Sequence, residues 1–283
     1  MIRAMDKRQI FRSIAASVAK GELAFPTSAR VAIKVRQALD DPDCHIDAAA
    51  KLVQAEPLLA ARAVAMANSV AFNRSGRELT DVRSSVSRLG FRTVRALATA
   101  LITRQLAGEQ SAAAQQQLAA QLWEHTAHVA SLAHVIARRV TKGDPETALF
   151  AGIVHEVGGF YLLSRAKEFP ELFDGDFYDW IESGEAEVGR AVLKVLGVPD
   201  AVLEAIEVYW AGYLAMPPRT LGDTLLLAEE LAPVPSPMNR RGGEGGGTGM
   251  TASIDMAIGE DTLKAIMDES AEELASLTGA LKF

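Results

Sequence analysis

The sequence predicts an all-α protein. Apolar residues recur at helical spacing along most of the chain, alanine is abundant, and β-branched residues rarely alternate with polar ones as a half-buried strand requires. Proline and glycine also fall where helices start and stop rather than inside the periodic runs.

Glu56-Pro57 opens the first clear helix, because proline at the first helical position gives up only an N–H that no intrahelical acceptor needs. Leu58, Leu59, Ala63 and Met66 then predict one buried stripe, ending near Asn68-Ser69. The next helix carries Val82, Val86 and Leu89, with Gly90 as its C-terminal stop. A third carries Val94, Leu97, Leu101 and Ile102. Residues 115–140 predict a long amphipathic helix through Leu118, Leu122, Val129, Leu132 and Ile136. Residues 145–166 predict another, containing His155. Helices near 185–196 and 200–213 are separated by Gly197-Val-Pro199, and a last core helix covers 219–231. Composition then changes. Pro233-Val-Pro-Ser-Pro237 is stiff and extended, Gly242-Gly-Glu-Gly-Gly-Gly-Thr-Gly249 is flexible, and 233–252 is expected to be a mobile linker. Beyond it, Leu263, Ile266, Met267, Leu274 and Leu277 suit an amphipathic terminal segment, 253–283, that docks on the core or on a partner.

A chain of 283 residues with 49% hydrophobic content can bury a sizeable core, which excludes global disorder. The net charge of -7 is unevenly spread. Residues 1–110 hold 17 basic and 10 acidic side chains, a net of +7, and residues 111–283 hold 12 and 26, a net of -14. The first half can face an anionic partner; the acidic second half argues against nucleic acid. Cys44 is the sole cysteine, so an internal disulfide and a Cys-based zinc cluster are excluded. The N-terminus shows no apolar signal region, and no apolar run reads as long enough to span a bilayer, so a cytoplasmic protein with no membrane partner is expected. There is no Gly-rich phosphate loop and no internal repeat.

The most informative stretch is Ala151-Gly-Ile-Val-His-Glu-Val-Gly-Gly159. Its His155-Glu156 pair looks like the His-Asp signature of an HD-type metal phosphohydrolase with Glu in place of Asp. Phe25-Pro-Thr27, Ala55-Glu-Pro-Leu-Leu59 running on to Ala67-Asn-Ser69, Ser85-Val-Ser-Arg-Leu-Gly90, Trp123-Glu-His-Thr-Ala-His-Val-Ala130 and Leu149-Phe-Ala-Gly-Ile-Val-His-Glu-Val-Gly158 occur in that order. Together they resemble the HDOD domain family, helical output domains related to HD phosphohydrolases, from Phe25 to about Leu231. The resemblance implies a multi-helix HDOD fold over 1–232: an N-terminal helical bundle (about 1–110) packed on a degenerate HD-like bundle (111–232).

In HD enzymes a His, a His-Asp pair and a later Asp hold the metal, and His125, His155, Glu156 and Glu229 look like those positions. Such a set suits iron, manganese or zinc, which would acidify a water for attack on a phosphoester. The departures point the other way. Both carboxylates are Glu, one methylene longer than Asp. Glu185 stands where the family often has a later His, and Tyr209-Trp210 stands where it has a His-His pair. The resemblance therefore implies a vestigial site, no resident cofactor, and a signalling role.

Other features carry two readings each. His125 and His128 share a helix face at i, i+3, although such pairs commonly serve no metal, and His128 is expected to face away from the site. Glu182, Glu185 and Glu187 can supply a carboxylate pair for acid–base work, but a solvated helix start favoured by the helix dipole is the preferred reading. Tyr209 and Trp210 can stack on a base; the preferred reading is that they fill the volume left by the absent histidines. Arg83, Arg88, Arg92 and Arg95 can bind a cyclic dinucleotide or an acidic surface, against the ordinary reading of solvated helix arginines. Asn68-Ser69 reads as a helix-end cap.

The function expected first is a stand-alone, non-catalytic adaptor that binds a signalling protein such as a kinase, a response regulator or a cyclic-dinucleotide enzyme. The alternatives are a metal-dependent phosphohydrolase acting on a nucleotide or phosphoester, and a nucleotide or small-anion sensor.

Overall fold

Every regular element among the described residues is helical. The computed structural model describes residues 6–22, 29–108, 113–175, 177–238 and 260–282. The Phe25-Pro-Thr27 motif and the 239–252 part of the expected linker lie outside the described residues. The helices are α1 (Lys7–Ser17), α2 (Arg30–Leu39), α3 (Ile46–Gln54), α4 (Pro57–Asn68), α5 (Val82–Leu106), α6 (Ala113–Ile136), α7 (Pro145–Val154), α8 (Val157–Ser164), α9 (Glu185–Val195), α10 (Asp200–Ala211), α11 (Leu221–Glu230), α12 (Glu260–Glu269) and α13 (Ala271–Leu281). The sequence reading assigned no helix to the spans of α1, α2 and α3.

Local chemistry explains the starts. Glu56 accepts a hydrogen bond from the Leu58 amide (3.3 Å), with Pro57 at the first helical position of α4. Asp81 caps α5 through the Ser84 amide at 2.8 Å. The α4 stripe is Leu59, Ala63, Met66 and Ala67; Leu58 is exposed instead, because it sits one residue, about 100° of helix rotation, away from Leu59. Gly90 takes φ 73°, ψ 163°, open only to glycine at low cost, so the helices expected on either side of it join directly as a kinked α5. The half of α5 beyond the kink is the central post. Val94, Ala96, Leu97, Ala98, Ala100, Leu101 and Ile102 are all buried, with α2, α3, α4, α7 and α8 around them.

The second bundle is built on α6 against α7. A Cβ on Gly152 would lie 2.5 Å from the Cα of Ala130, so only glycine permits this approach. The helix expected over 145–166 is broken at His155-Glu156, where Glu156 leaves helical geometry (φ -106°, ψ 22°) and α8 begins. The Pro145–Ser164 stretch is, contrary to the sequence reading, long and apolar enough by length and composition to cross a membrane; 83% of its most apolar window is buried among the other helices.

The expected 110/111 division is crossed widely: α5 packs on α7 and α8, and the two ends of the chain add further contacts. α1 packs against α9: Phe11 meets Trp180 edge-to-face at 5.4 Å, and Arg8 and Arg12 pair with Asp179 and Glu187 at 3.1 and 3.5 Å. The terminal α13 lies on α6 and α4. The Trp123 indole donates to the Leu281 carbonyl (3.1 Å), and the Val70 amide to Ser276 Oγ (3.1 Å). Glu273 pairs with Arg138 and lies 3.6 Å from His134.

Candidate metal centre

α6 supplies His125, the α7–α8 junction supplies His155 and Glu156, and the last turn of α11 supplies Glu229. On an unbroken helix, neighbouring residues point about 100° apart. The break after His155 lets both members of the pair face one site. Gly158 then lets α8 pack closely on α9: a Cβ there would lie 2.9 Å from the Gly189 backbone.

The structure brings the four sequence-predicted residues together. His125 Nε2 lies 3.1 Å from Glu229 Oε2, 3.7 Å from Glu156 Oε2 and 3.4 Å from His155 Nε2, which is itself 3.7 Å from Glu229 Oε2. The extra methylene of each glutamate is therefore no obstacle, since both carboxylates reach the ring nitrogens. His125, His155 and Glu156 are 0%, 1% and 4% exposed.

Proton positions follow from the outer partners. His125 Nδ1 is 2.7 Å from the Val234 carbonyl, and His155 Nδ1 is 2.7 Å from the Gly152 carbonyl. A carbonyl only accepts, so each Nδ1 carries hydrogen, and in the neutral rings each Nε2 presents a lone pair. Two lone pairs and two carboxylate oxygens then face one another. With both rings neutral, Oε2 of Glu156 and Oε2 of Glu229 face no hydrogen donor among the described residues. Such a set calls for positive charge at its centre. A proton on His125 can supply it: burial disfavours the charged ring, but Glu156, Glu229 and the Val234 carbonyl outweigh that and push its pKa up to about 9. Burial raises the Glu229 pKa, and the two histidines outweigh it to hold the carboxyl far below its usual range. A divalent cation also fits. Ligands about 2.0–2.2 Å from a zinc stand about 3.3 Å apart, close to the 3.4 and 3.7 Å that separate His125 Nε2 from His155 Nε2 and Glu156 Oε2, and Nδ1–H bonded to a carbonyl is the usual support for a metal-bound imidazole. His125, His155 and Glu156, whose donor atoms lie within 4.8 Å of one another, would hold it, with Glu229 set against the two imidazoles beside them.

Two further contacts close the site. Ser236 donates its hydroxyl to Glu156 Oε1 at 2.5 Å, and Tyr209 sets its ring edge-to-face on His155 at 5.3 Å. Residues 233–238, the start of the stretch read as a mobile linker, are thus packed on the core, with Ser236 and Met238 each 1% exposed. Sequence reasoning missed Ser236, because a serine between prolines carries no helical or motif signal. Tyr209 fills space beside the site; its neighbour Trp210 lies elsewhere, near Gly189 and under the Arg190 guanidinium at 5.5 Å.

The remaining candidates do not join the cluster. His128 is half-buried beside α13, and His134 sits near the Pro145 carbonyl at 3.2 Å. Glu182 pairs with Arg8 and Glu187 with Arg12, as a solvated helix start would, but Glu185 is buried. The four arginines are spread over separate partners rather than forming a cradle. Arg83 pairs with Asp47, Arg95 with Asp40, Arg92 with Asp144 and Thr147, and Arg88 with the Ala67 and Arg77 carbonyls. Ser69 caps the end of α4, its hydroxyl donating to the Met66 carbonyl at 2.7 Å, while Asn68 instead ties down the following loop, donating to the Leu79 carbonyl at 2.7 Å and accepting from the Leu79 amide at 2.9 Å.

Comparison with known proteins agrees with this architecture. The HDOD domain model matches residues 25–211, and the chain belongs to the HDOD domain family. A proposed metal-dependent phosphohydrolase from Shewanella amazonensis SB2B is similar at 20% identity and a TM-score of 0.71, over 97% of this chain and 99% of that one. An HDOD domain protein of unknown function from Geobacter sulfurreducens gives 21% and 0.59, over 96% and 97%. A proposed signal transduction protein from Marinobacter aquaeolei VT8 gives 18% and 0.56, over 99% of this chain and 67% of that one. At these identities the likeness is one of fold. No curated protein matches the chain.

Proposed function

We propose that this protein is a non-catalytic signal-transduction module that works by binding another protein, with its HD-type cluster kept as an internal tie rather than a reaction centre. The observation that carries this reading is the closure of the site. Hydrolysis by a bound metal needs an open coordination position that water and a phosphoester can both reach. Here His125 and His155 are 0% and 1% exposed, Ser236 holds Glu156, and Val234 covers His125. Two apolar grooves of about 600 and 590 Å³ lie elsewhere, lined by residues such as Leu118, Phe177 and Met238, and by Leu132, Met267 and Leu274.

The partner expected is a cytoplasmic signalling protein such as a kinase, a response regulator or a cyclic-dinucleotide enzyme. The acidic second half, net -14 from 12 basic and 26 acidic residues over 111–283, disfavours nucleic acid. The convergence of donors is what favours the phosphohydrolase alternative. The test is turnover of bis-p-nitrophenyl phosphate by the protein supplied with Fe²⁺, Mn²⁺ or Zn²⁺, beside His155→Ala. The adaptor reading expects equal background in both. Turnover in the wild type, lost in a folded His155→Ala protein, would overturn it. A thermal shift on adding one nucleotide class, without turnover, would favour the sensor.

A further inference from the structure

The strap formed by residues 233–238 touches the cluster at the atoms opposite its donor atoms. His125 offers Nε2 inward and gives Nδ1–H to the Val234 carbonyl at 2.7 Å. Glu156 offers Oε2 inward and takes the Ser236 hydroxyl on Oε1 at 2.5 Å. The same serine oxygen accepts from the Met238 amide at 3.3 Å, and the buried Met238 sulfur sits 3.1 Å from where a Cβ on Gly159 would be, beside Leu122. Among the described residues, His125, Glu156 and the apolar seat of Met238 all hold the strap.

We propose that the strap and a divalent metal at the cluster stabilise one another, so that metal occupancy controls whether residues 233–238 stay seated. The inference rests on the fit of a divalent metal to the cluster. Compared with the neutral ring, a metal on His125 Nε2 draws electron density from the imidazole, makes Nδ1–H a better donor to Val234 and fixes the ring so that Nδ1 faces the strap. A metal on Glu156 Oε2 leaves Oε1 free for Ser236 and fixes the carboxylate that the hydroxyl needs. Outer partners of this kind change metal affinity by about 10–100-fold. Linkage is reciprocal, so the metal must favour the seated strap over the unseated one by the same factor. The strap stands between the family domain, matched over residues 25–211, and α13, which lies on α6 and α4.

The test is hydrogen exchange of the full chain, dialysed against EDTA and then loaded with Zn²⁺, with zinc affinity measured alongside. Proline supplies no amide, so Val234, Ser236 and Met238 are the reporters. Zinc is expected to slow their exchange by about 10–100-fold. Ser236→Ala is expected to lose most of that slowing and to bind zinc more weakly by the same factor, and Ser236→Thr, which keeps the hydroxyl, to recover both. Zinc bound at the cluster, shown by its loss in His155→Ala, with unchanged exchange at these amides overturns the inference and leaves the metal fit standing. Ser236→Ala binding zinc as tightly as the wild type overturns it as well. No zinc bound by the wild type removes the metal fit itself, and the inference with it.

Discussion

Asp223 fixes the start of α11, the helix whose last turn carries Glu229. It is 1% exposed and accepts from the Ala215 amide on Oδ1 (2.9 Å) and from the Arg219 and Thr220 amides and the Thr220 hydroxyl on Oδ2 (3.0, 2.8 and 2.7 Å). Thr220 returns the bond to the Asp223 amide at 3.1 Å, completing a capping box at the start of α11. Asp223→Ala leaves those donors without their acceptor. Each buried orphan costs about 1–3 kcal/mol, and because the loop carries exposed Tyr213 and Met216, water can re-pair part of the set, so the low end applies. The total is about 3–4 kcal/mol. With a urea dependence of about 3 kcal/mol per molar, the unfolding midpoint should fall by about 1 M. Asp223→Asn should recover little, since its NH₂ would face donors. The sign with pH is also set. Burial raises the Asp223 pKa, but the hydrogen bonds from Arg219, Thr220 and Ala215 outweigh it, so the folded value lies below the unfolded one. Its stabilisation is present above about pH 4, the unfolded value, and is lost as pH falls through the folded value. The alanine variant should therefore lose less stability than the wild type over that acid range. A midpoint shift under about 0.3 M urea, or identical acid dependence in the two proteins, would refute the reasoning.

Other outcomes follow from the same geometry. Gly152→Ala puts a methyl 2.5 Å from the Ala130 Cα, backbone that cannot give way, so the α6–α7 contact should open and the midpoint of thermal unfolding fall by an amount equivalent to about 3 kcal/mol or more. Arg92→Ala removes a half-exposed pair with Asp144 and should cost under about 1 kcal/mol, less still at high salt, measured by denaturation at two ionic strengths. His134 has its pKa lowered by burial, opposed by Glu273; Glu273→Gln should lower it further, read by NMR titration of the ring, and should speed proteolysis within α13. Because the folded His134 value lies below the unfolded one, protonation costs stability as pH falls below about 6.5, and that loss should deepen in Glu273→Gln.

Read alone, the sequence determined what local pattern can determine. Pro57 after Glu56, the apolar spacing of α4 and α5, Gly90 between two helical runs, and the Gly197-Val-Pro199 break each act within a few residues, where periodicity and capping decide the backbone. Motif order identified the family and pointed to His125, His155, Glu156 and Glu229 before their separations were known. Helices α1 to α3 were legible too: Ile10 with Ile14, Ala32 with Val35 and Leu39, and Ala49 with Val53 recur at helical spacing, and the sequence reading passed over them. The tertiary structure alone decided the rest. It broke 145–166 at His155-Glu156, paired each arginine with a separate partner, buried Glu185, and turned Val234 and Ser236 from linker residues into the seal over the cluster. Those seal contacts join residues 109 and 80 positions apart. No local preference encodes a contact at that separation. It exists because the buried imidazole N–H and carboxylate need partners, and the folded chain brings the strap to where they can be met.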